Sequence, residues 1–431
     1  MLCQFTFENF KSYRDETVFD MQSTGIKEFS NSLLPSLNPE KFPALLPVAA
    51  IYGPNGGGKS ILLEAFVYLI SKVVSPIKTA KDANAEVFHK FLALMHRYQP
   101  FLLDKDSRAK PTCFQLYFRT QGAEFRYELS LLKEQVLYES LYRTRLDCSR
   151  ITPIMIFERE EMEIHMGASL REAKVQLPPD FNTTLPLLSF LYYSYQIPYI
   201  TEAVSWFKNC YTVNYSLGNR ENVIALFEED EPQEKTSLLS LLNKFGVPIS
   251  DYTVERFEDE EEKKRTKIHT VHKIDGHSYN LPLGAESQGT IKLLSFLPVA
   301  IRSLQTGGVV FVDELDAKLH PQLLRSVIRL YTTPETNPNH AQLVFVSQDV
   351  STMRSEFLRR DEIWFAARDE ESVSRLWSLY DLKDTRGEHI KPAVAYDKQY
   401  LEGRYGADPY LKQMLDWRVP DATVSTQTEK E

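Results

Sequence analysis

Eight residues near the start of the chain have the types and spacing of a nucleotide-binding loop. Residues 53–60 are Gly53, Pro54, Asn55, Gly56, Gly57, Gly58, Lys59 and Ser60, which fits the pattern G-x-x-x-x-G-K-[ST]. Glycines let backbone N–H groups curl around a polyphosphate, where a Cβ atom would obstruct the turn. Lys59 can then reach the β- and γ-phosphates, and Ser60 can hold Mg²⁺. We therefore predict that this phosphate loop (residues 53–60) binds a polyphosphate together with Mg²⁺.

The segments on either side predict the elements that such a loop needs. Residues 47–52 are mostly apolar and predict a short buried strand, and residues 61–70 predict a helix. The N-terminus of that helix would add positive potential beneath the phosphates. The alternative, a glycine-rich turn with a chance lysine, does not require this strand–loop–helix context.

A second apolar run ends in two adjacent carboxylates. Residues 308–313 predict a buried strand that ends at Asp313, and Glu314 follows at once. Next to the phosphate loop, Asp313 would bind Mg²⁺ directly or through water. Glu314 would then be the catalytic residue that polarises the attacking water. The alternative is a strand capped by acidic surface residues, which the pairing with the phosphate loop disfavours.

A third element, the Ser287 loop (residues 284–290), opens a predicted helix at 286–305. Ser287, Gln288 and Gly289 offer a hydroxyl, unhindered backbone N–H groups and a positive helix end, which together could grip a phosphate. Because this helix leads into the Asp313 strand, the loop should face away from its own phosphate loop and could complete the site of another subunit. The alternative is an ordinary N-cap formed by Ser287.

The composition excludes several classes of protein. The 431 residues are 43% hydrophobic and 25% charged, and the net charge of −9 argues against a surface coated in basic residues for nucleic acid. The four cysteines are not at metal-ligand spacing, which is typical of reduced thiols in a cytoplasmic protein. No run of about 18 apolar residues is present, so we expect no membrane span.

The hydrophobic patterns predict strands alternating with helices at both ends of the chain, and hence an α/β fold whose mixed sheet is covered by helices. Between these ends, the patterns predict strands at 112–119, 123–132 and 135–145, a helix at 84–98 and a largely helical stretch at 167–248. We therefore predict two halves of one nucleotide-binding head, a large compact α+β insertion, a packing segment and a polar tail. The two halves of the head are predicted at 1–75 and 281–370, and the insertion at 76–280. The packing segment is predicted at 371–418 and the polar tail at 419–431.

The order and spacing of these motifs resemble ABC-type ATPases, in the branch that acts in DNA repair and chromosome organisation. More closely, five segments resemble the bacterial abortive-infection ATPases of the AbiL/RloA kind, and the ATPase subunit of the PARIS anti-phage system is similar in design. Those segments are residues 7–13, 313–321, 361–365, 379–383 and 400–409. The resemblance covers roughly 1–75 and 280–412.

The resemblance implies ATP and Mg²⁺ as cofactors and an ATP sandwich between two heads of a homo-oligomer. Each nucleotide would be closed by Ser287 and Gly289 of the partner, with His320 at the place of an aspartate that acts across that interface. It also implies a sensor or scaffold in anti-phage defence that controls a separate effector, a Toprim-like nuclease, and responds to a phage-derived trigger. Direct binding of nucleic acid is left open.

The sequence departs from the family pattern after the strand at 341–346. Gln348 stands where such ATPases usually carry a histidine, and a glutamine can donate a hydrogen bond to the γ-phosphate but cannot hold a proton. We therefore expect slow hydrolysis. The glutamine that contacts Mg²⁺ in these ATPases could be Gln99 or Gln135.

A second function remains open: a nucleic-acid-tethering ATPase of DNA repair or recombination. The acidic balance and a compact insertion without sustained heptads favour the defence ATPase. About sixty residues follow the strand-like run at 361–368, fewer than a fused Toprim domain needs. A transporter motor fits least, because the Ser287 loop and Gln348 depart from that pattern.

Overall fold

A computed structural model describes residues 1–79, 99–148, 151–179, 181–214, 232–258, 264–383, 387–391 and 395–407. The strands in these ranges are β1 (Leu2–Glu8), β2 (Thr17–Asp20), β3 (Val48–Tyr52), β4 (Thr112–Thr120), β5 (Ala123–Leu132), β6 (Gln135–Arg145), β7 (Ile154–Glu160), β8 (Glu163–Met166), β9 (Cys210–Asn214), β10 (Asp251–Glu258), β11 (Lys264–Ile274), β12 (His277–Pro282), β13 (Val309–Asp313), β14 (Gln342–Val346), β15 (Ile363–Arg368) and β16 (Ser374–Ser378). The α-helices are α1 (Lys59–Thr79), α2 (Ala168–Glu172), α3 (Leu187–Ser194), α4 (Pro198–Lys208), α5 (Pro232–Lys244), α6 (Gln288–Thr306), α7 (Pro321–Thr332) and α8 (Tyr396–Leu401).

A six-stranded sheet carries the phosphate loop. Its order is β16-β15-β3-β14-β13-β9, and every pairing is parallel except that of β15 with β16. All five residues of β3 and of β14 are buried, as expected for parallel strands covered on both faces. The carboxyl ends of β3, β14 and β13 therefore meet at one edge, which is where the predicted site residues follow. The predicted α/β class is confirmed.

A seven-stranded antiparallel sheet has the order β2-β1-β4-β5-β6-β7-β8. Buried and half-buried residues alternate without a break along β5, which explains the clean period of two in the sequence. The strands of the predicted insertion thus extend a sheet that begins with the N-terminal strand β1.

Helix α1 joins the two sheets. The ring of Phe66 lies 4.4 Å from that of Phe5 in β1 and 4.2 Å from that of Phe311 in β13, measured between centroids. All three residues belong to one buried cluster. The helix that opens at the phosphate loop is therefore held by apolar contacts from both sheets.

A buried ion pair fastens α3 to the antiparallel sheet. Glu139 in β6 is fully buried and accepts hydrogen bonds from the backbone N–H groups of Leu187 (2.6 Å) and Leu188 (3.0 Å), at the start of α3. Arg159 in β7 is also fully buried, 3.9 Å from Glu139, and donates to the carbonyl oxygen of Leu185 at 2.9 Å. Burial raises the pKa of Glu139, because the charged form loses its hydration.

The stretch 167–248, predicted to be largely helical, contains a strand. β9 pairs in parallel with β13 at the edge of the six-stranded sheet. Its five residues carry too short a pattern to separate from the helices around them, and the pairing with β13 is what makes them extended. The predicted helix at 84–98 lies outside the described residues, as do 408–418 of the packing segment and the tail.

The remaining strands, β10, β11 and β12, form a three-stranded antiparallel sheet. Tyr252 and Ile268 bury one face of it in the same apolar cluster as α6. Within the described parts of the chain, we find no helix with the length and apolar character that a bilayer crossing requires.

Candidate functional site

The glycines of the phosphate loop are required by both backbone conformation and space. Gly53 has a φ of 148°, and a Cβ atom there would lie 2.0 Å from the carbonyl oxygen of Ala366 in β15. Gly58 has a φ of 108°, and its Cβ atom would lie 2.5 Å from Oγ of Ser374. A side chain at either position would therefore displace the loop from the edge of the sheet.

Lys59 and Ser60 lie at the start of α1, where the predicted chemistry needs them. Nζ of Lys59 donates to the carbonyl oxygens of Gly53 at 2.7 Å and Pro54 at 3.0 Å, so the side chain folds back over the loop. Burial lowers the pKa of Lys59, and the charge of Asp313 opposes this shift. Phosphate oxygens placed in the loop would compete with these two carbonyl oxygens for the ammonium group.

The structure brings Ser60 and Asp313 together. Oγ of Ser60 donates to Oδ1 of Asp313 at 3.1 Å, across 253 positions of the sequence. Burial raises the pKa of Asp313, and the nearby charge of Glu314 acts in the same direction. A divalent cation between the hydroxyl and the carboxylate would reverse that shift, and both are oxygen ligands that suit Mg²⁺. The residues therefore fit a metal that is shared with a bound nucleotide.

Glu314 has a strained backbone at the predicted catalytic position. Its φ is 54°, in the left-handed region that residues with a side chain rarely adopt, and its side chain is exposed. The next residue, Leu315, is fully buried and donates its N–H to the carbonyl oxygen of Val346 in β14 at 3.2 Å. The buried Leu315 thus holds the backbone of Glu314 in the left-handed conformation, a kind of strain that clusters at functional sites.

Asp316 connects the end of β14 to the carboxylate loop (residues 313–320). Its Oδ2 accepts from the backbone N–H groups of Gln348 at 3.0 Å and Asp349 at 2.9 Å. The Gln348 side chain is exposed, so it is free to meet a γ-phosphate placed at this edge. Gln348 therefore lies on a segment that is hydrogen-bonded to the carboxylate loop.

The Ser287 loop has features of an ordinary helix N-cap and also of a phosphate-binding loop that another subunit could reach. Oγ of Ser287 accepts from the N–H of Thr290 at 3.1 Å, which is an N-cap. Ser287 and Gln288 are nevertheless exposed. A Cβ atom on Gly289 would lie 3.1 Å from the carbonyl oxygen of Lys318, so the loop packs closely on the carboxylate loop of its own chain. The capping bond leaves the loop accessible to a second molecule.

The three-stranded sheet contacts the Ser287 loop through the side chain of Glu286. Nε2 of His272 in β11 lies 2.7 Å from Oε1 of Glu286, and Thr270 also contacts that carboxylate. Glu286 directly precedes Ser287. Two residues of β11 therefore contact the carboxylate that directly precedes Ser287.

Lys292 is a functional candidate that the sequence reasoning missed. It lies on α6 with only 2% of its surface exposed, and its Nζ donates to the carbonyl oxygens of Glu314 at 2.5 Å and Ala317 at 2.6 Å. Burial lowers its pKa to about 8. The signal in the sequence was a single lysine in the apolar run of α6, and it could have been read as an inward-facing cation.

We expect Lys292→Met to lower kcat for ATP by about 10- to 100-fold while the dissociation constant for ATP changes little. The reason is that the carbonyl oxygens of Glu314 and Ala317 lose their donor, so the strained carboxylate loop can relax. Lys235→Met is the matched control, because Lys235 also donates to a carbonyl oxygen, that of Tyr252 at 2.8 Å, away from the site. Equal turnover by the Lys292 variant and the parent would remove Lys292 from the mechanism.

The two glutamines proposed to contact the metal lie in different parts of the fold. The carbonyl oxygen of Gln99 accepts from the N–H of Lys11 at 2.8 Å, and Tyr13, two residues on, donates to the carbonyl oxygen of Gly58 at 3.3 Å. Gln135 opens β6 at the hairpin with β5. His320 caps α7, its Nδ1 accepting from the N–H of Gln322 at 3.2 Å.

Comparison with solved structures finds SMC head domains among those similar to this chain. The SmcHead bound to the C-winged helix domain of ScpA has a TM-score of 0.40 and 13% identity, over 88% of this chain and 97% of that one. The SMC head domain from Thermotoga maritima has a TM-score of 0.39 and 14% identity, over 88% and 98%. The Smc head domain with an extended coiled coil, bound to the C-terminal domain of ScpA derived from Pyrococcus furiosus, has a TM-score of 0.39 and 12% identity, over 88% and 96%.

A search of curated protein sequences finds no match to this chain. A family model, in contrast, matches residues 48–160 and 191–354, which include the phosphate loop, the Ser287 loop and the carboxylate loop. The mixed sheet covered by helices agrees with the fold class predicted from the sequence. The chain belongs to the family described as "AAA domain, putative AbiEii toxin, Type IV TA system".

Proposed function

We propose that this chain is an ATP-binding, slowly hydrolysing ABC-type ATPase that acts as an oligomeric sensor or scaffold in anti-phage defence. In this role it controls a separate effector, a Toprim-like nuclease, and responds to a phage-derived trigger. The contact between Ser60 and Asp313 at 3.1 Å supports the enzymatic part, because both side chains offer oxygen ligands that suit Mg²⁺ beside the phosphate loop. The family description supports the setting in abortive infection.

Each group of site residues has its own role in the proposed ATPase reaction. The phosphate loop and Lys59 would hold the β- and γ-phosphates, and Ser60 and Asp313 would hold Mg²⁺, which would neutralise charge on the phosphates. Glu314 orients the attacking water. Lys292 keeps the backbone of Glu314 in place. Gln348 can donate to the γ-phosphate but cannot store a proton, and hence we propose slow turnover.

The exposed Ser287 loop supports an ATP sandwich between two copies of the chain. Ser287 and Gln288 are accessible, and the N-terminus of α6 behind them favours a negative ligand. In an antiparallel pair, each Ser287 loop would close on the phosphates held by the partner. Because Gly289 packs on Lys318 and Lys292 on Glu314, closure would reach the catalytic carboxylate of the same chain.

The effector part of the proposal is tested by nuclease assays on the purified chain. We expect plasmid, linear DNA and tRNA to stay intact when incubated with this chain, Mg²⁺ and ATP. The product of a neighbouring gene, purified with and without this chain, should supply cleavage that the ATPase restrains. A Glu314→Gln chain, which holds ATP without turning it over, serves as the matched control for dependence on the ATP state.

Two results would contradict this proposal. Cleavage by the isolated chain that disappears in Glu314→Gln would place the toxic chemistry in the ATPase itself. ATP-dependent retention of DNA, with no cleavage by either protein, would favour the alternative function in DNA repair or recombination.

A further inference from the structure

One face of the seven-stranded sheet points away from the apolar core. Along β5, Phe125 and Leu129 are buried in the cluster that includes α1, whereas Arg126 and Glu128 alternate with them and are half-buried. The pairing register continues this second face from β1 to β8, and we call it the outer face. The residues that define it are Glu8, Glu128, Tyr138, Glu158, Glu160 and Glu163. None of these six belongs to the phosphate loop or the carboxylate loop.

Two neighbouring rows of the outer face carry its carboxylates. One row begins at Glu8 in β1 and ends with Glu160 in β7 and Glu163 in β8, and all three are exposed. The next row contains Glu128 in β5 and Glu158 in β7, which are half-buried. Adjacent strands lie about 4.8 Å apart, and residues i and i+2 of one strand about 7 Å apart. Five negative charges therefore share one surface.

Hydrogen bonds between side chains fix part of this surface. Tyr138 and Tyr142 donate to the two carboxylate oxygens of Glu158, at 2.7 and 3.3 Å. The guanidinium group of Arg126 lies over the ring of Tyr142, at 4.4 Å from its centroid. Burial raises the pKa of Tyr138, and the charges of Glu128 and Glu158 act in the same direction. Rings and carboxylates that are already ordered lose less entropy when a partner binds.

The charge of the outer face selects the kind of partner. Nucleic acid would be repelled by it, and so would a second copy of this chain, which has a net charge of −9. Tyrosine is enriched in the cores of protein interfaces, and its ring attracts cationic side chains. A protein surface rich in lysine and arginine is therefore the partner with complementary charge.

We propose that the outer face binds the lysine- and arginine-rich surface with which the effector nuclease holds nucleic acid. Such a contact rests on the proposed function, since it requires a separate effector nuclease. A nuclease neutralises the phosphates of its substrate with lysine and arginine side chains. On the outer face, the five carboxylates would stand in for those phosphates, and Tyr138 would pack on the alkyl parts of the basic side chains. The effector could then hold no DNA or RNA while the two proteins are bound.

The first test measures binding of this chain to the purified product of the neighbouring gene by calorimetry. Glu160→Lys with Glu163→Lys reverses two exposed charges of the outer face, and we expect the dissociation constant to rise by at least about 100-fold. Glu335→Lys with Glu370→Lys is the matched control, because it changes the net charge equally at exposed positions outside this face. ATP binding should be unchanged in both double variants, which shows that they fold.

A second variant leaves every charge in place. Tyr138→Ser removes the ring but keeps the five carboxylates, and we expect the dissociation constant to rise by about tenfold. Tyr193→Ser is its control, because Tyr193 is 59% exposed and lies on α3 rather than on the sheet. If the double lysine variant does not fold, this comparison still decides whether the outer face binds the effector.

Competition with DNA shows which surface of the effector is covered. We expect the chain to displace a fluorescently labelled duplex DNA from the effector, with a fall in fluorescence anisotropy. The double lysine variant should displace the DNA only at concentrations about 100-fold higher.

The possible outcomes separate this contact from the function that it serves. No complex between the parent chain and the neighbouring gene product would contradict the proposed function, and the contact with it. A complex that both outer-face variants form as tightly as their controls would overturn the contact alone. DNA that stays on the effector when the chain binds would also overturn it.

Discussion

Replacement of Glu314 by Gln is expected to lower ATP turnover by about 10²- to 10³-fold while ATP binding is kept. The amide has nearly the same shape as the carboxylate but cannot accept the proton of the attacking water. Asp313 and Ser60 remain in contact, so the metal and the phosphates should still bind. Phosphate release and the dissociation constant for ATP, measured on the same preparation, separate the two effects.

Three controls sharpen this prediction. Glu370→Gln changes an exposed glutamate outside the site and should turn over ATP at the parental rate. Lys59→Ala should lose ATP binding itself. The Glu314→Gln chain should also gain an ATP-dependent dimer by light scattering, and Ser287→Arg in the same chain should abolish that dimer. Turnover by Glu314→Gln at the parental rate would mean that another group polarises the water.

The largest effect on stability is expected for Glu139→Leu. It should cost about 3–5 kcal/mol, because a fully buried Arg159 loses its compensating charge and two N–H groups of α3 lose their acceptor. The measurement is the shift of the urea midpoint, followed by circular dichroism. Since α3 packs on α1, a looser α3 should also weaken ATP binding.

The double variant Glu139→Leu, Arg159→Met provides the decisive comparison. Replacing both buried charges by apolar side chains should be less destabilising than removing Glu139 alone. Asp147→Asn is the matched control, because the pair of Arg145 and Asp147 is more than half exposed, at 56% and 57%. Such a pair contributes little, so its midpoint should stay close to that of the parent. A double variant that is less stable than Glu139→Leu would contradict our account of the pair.

Sequence reasoning located the parts of the site that depend on local chemistry. Each of these patterns can be recognised within a few residues, because glycine conformations, strand ends and helix caps have local signatures. This holds for the phosphate loop, for Asp313 with Glu314, and for Ser287. The contact between Ser60 and Asp313 followed from a general rule, namely that parallel strands bring their carboxyl ends to one edge.

What the sequence left out depends on contacts between distant segments. β9 is a strand because β13 offers it a partner, and its five residues alone do not reveal this. Lys292 faces inward because it donates hydrogen bonds to two carbonyl oxygens of the carboxylate loop. Those oxygens belong to residues 22 and 25 positions further along the chain. A cavity beside Glu362 is lined in part by Phe29, Asn31 and Ser32, from the opposite end of the chain. The hydrophobic periodicity within one segment does not show which distant segments it will contact.

The order of strands in the six-stranded sheet has a consequence for synthesis on the ribosome. β3 lies between β14 and β15, which leave the ribosome about three hundred residues later. Until then, the apolar β3 has neither of its partners in the sheet, and Phe66 of α1 can reach Phe5 but not Phe311. The nascent chain must therefore carry an unpaired central strand through most of translation, a condition that slows folding and favours binding by chaperones.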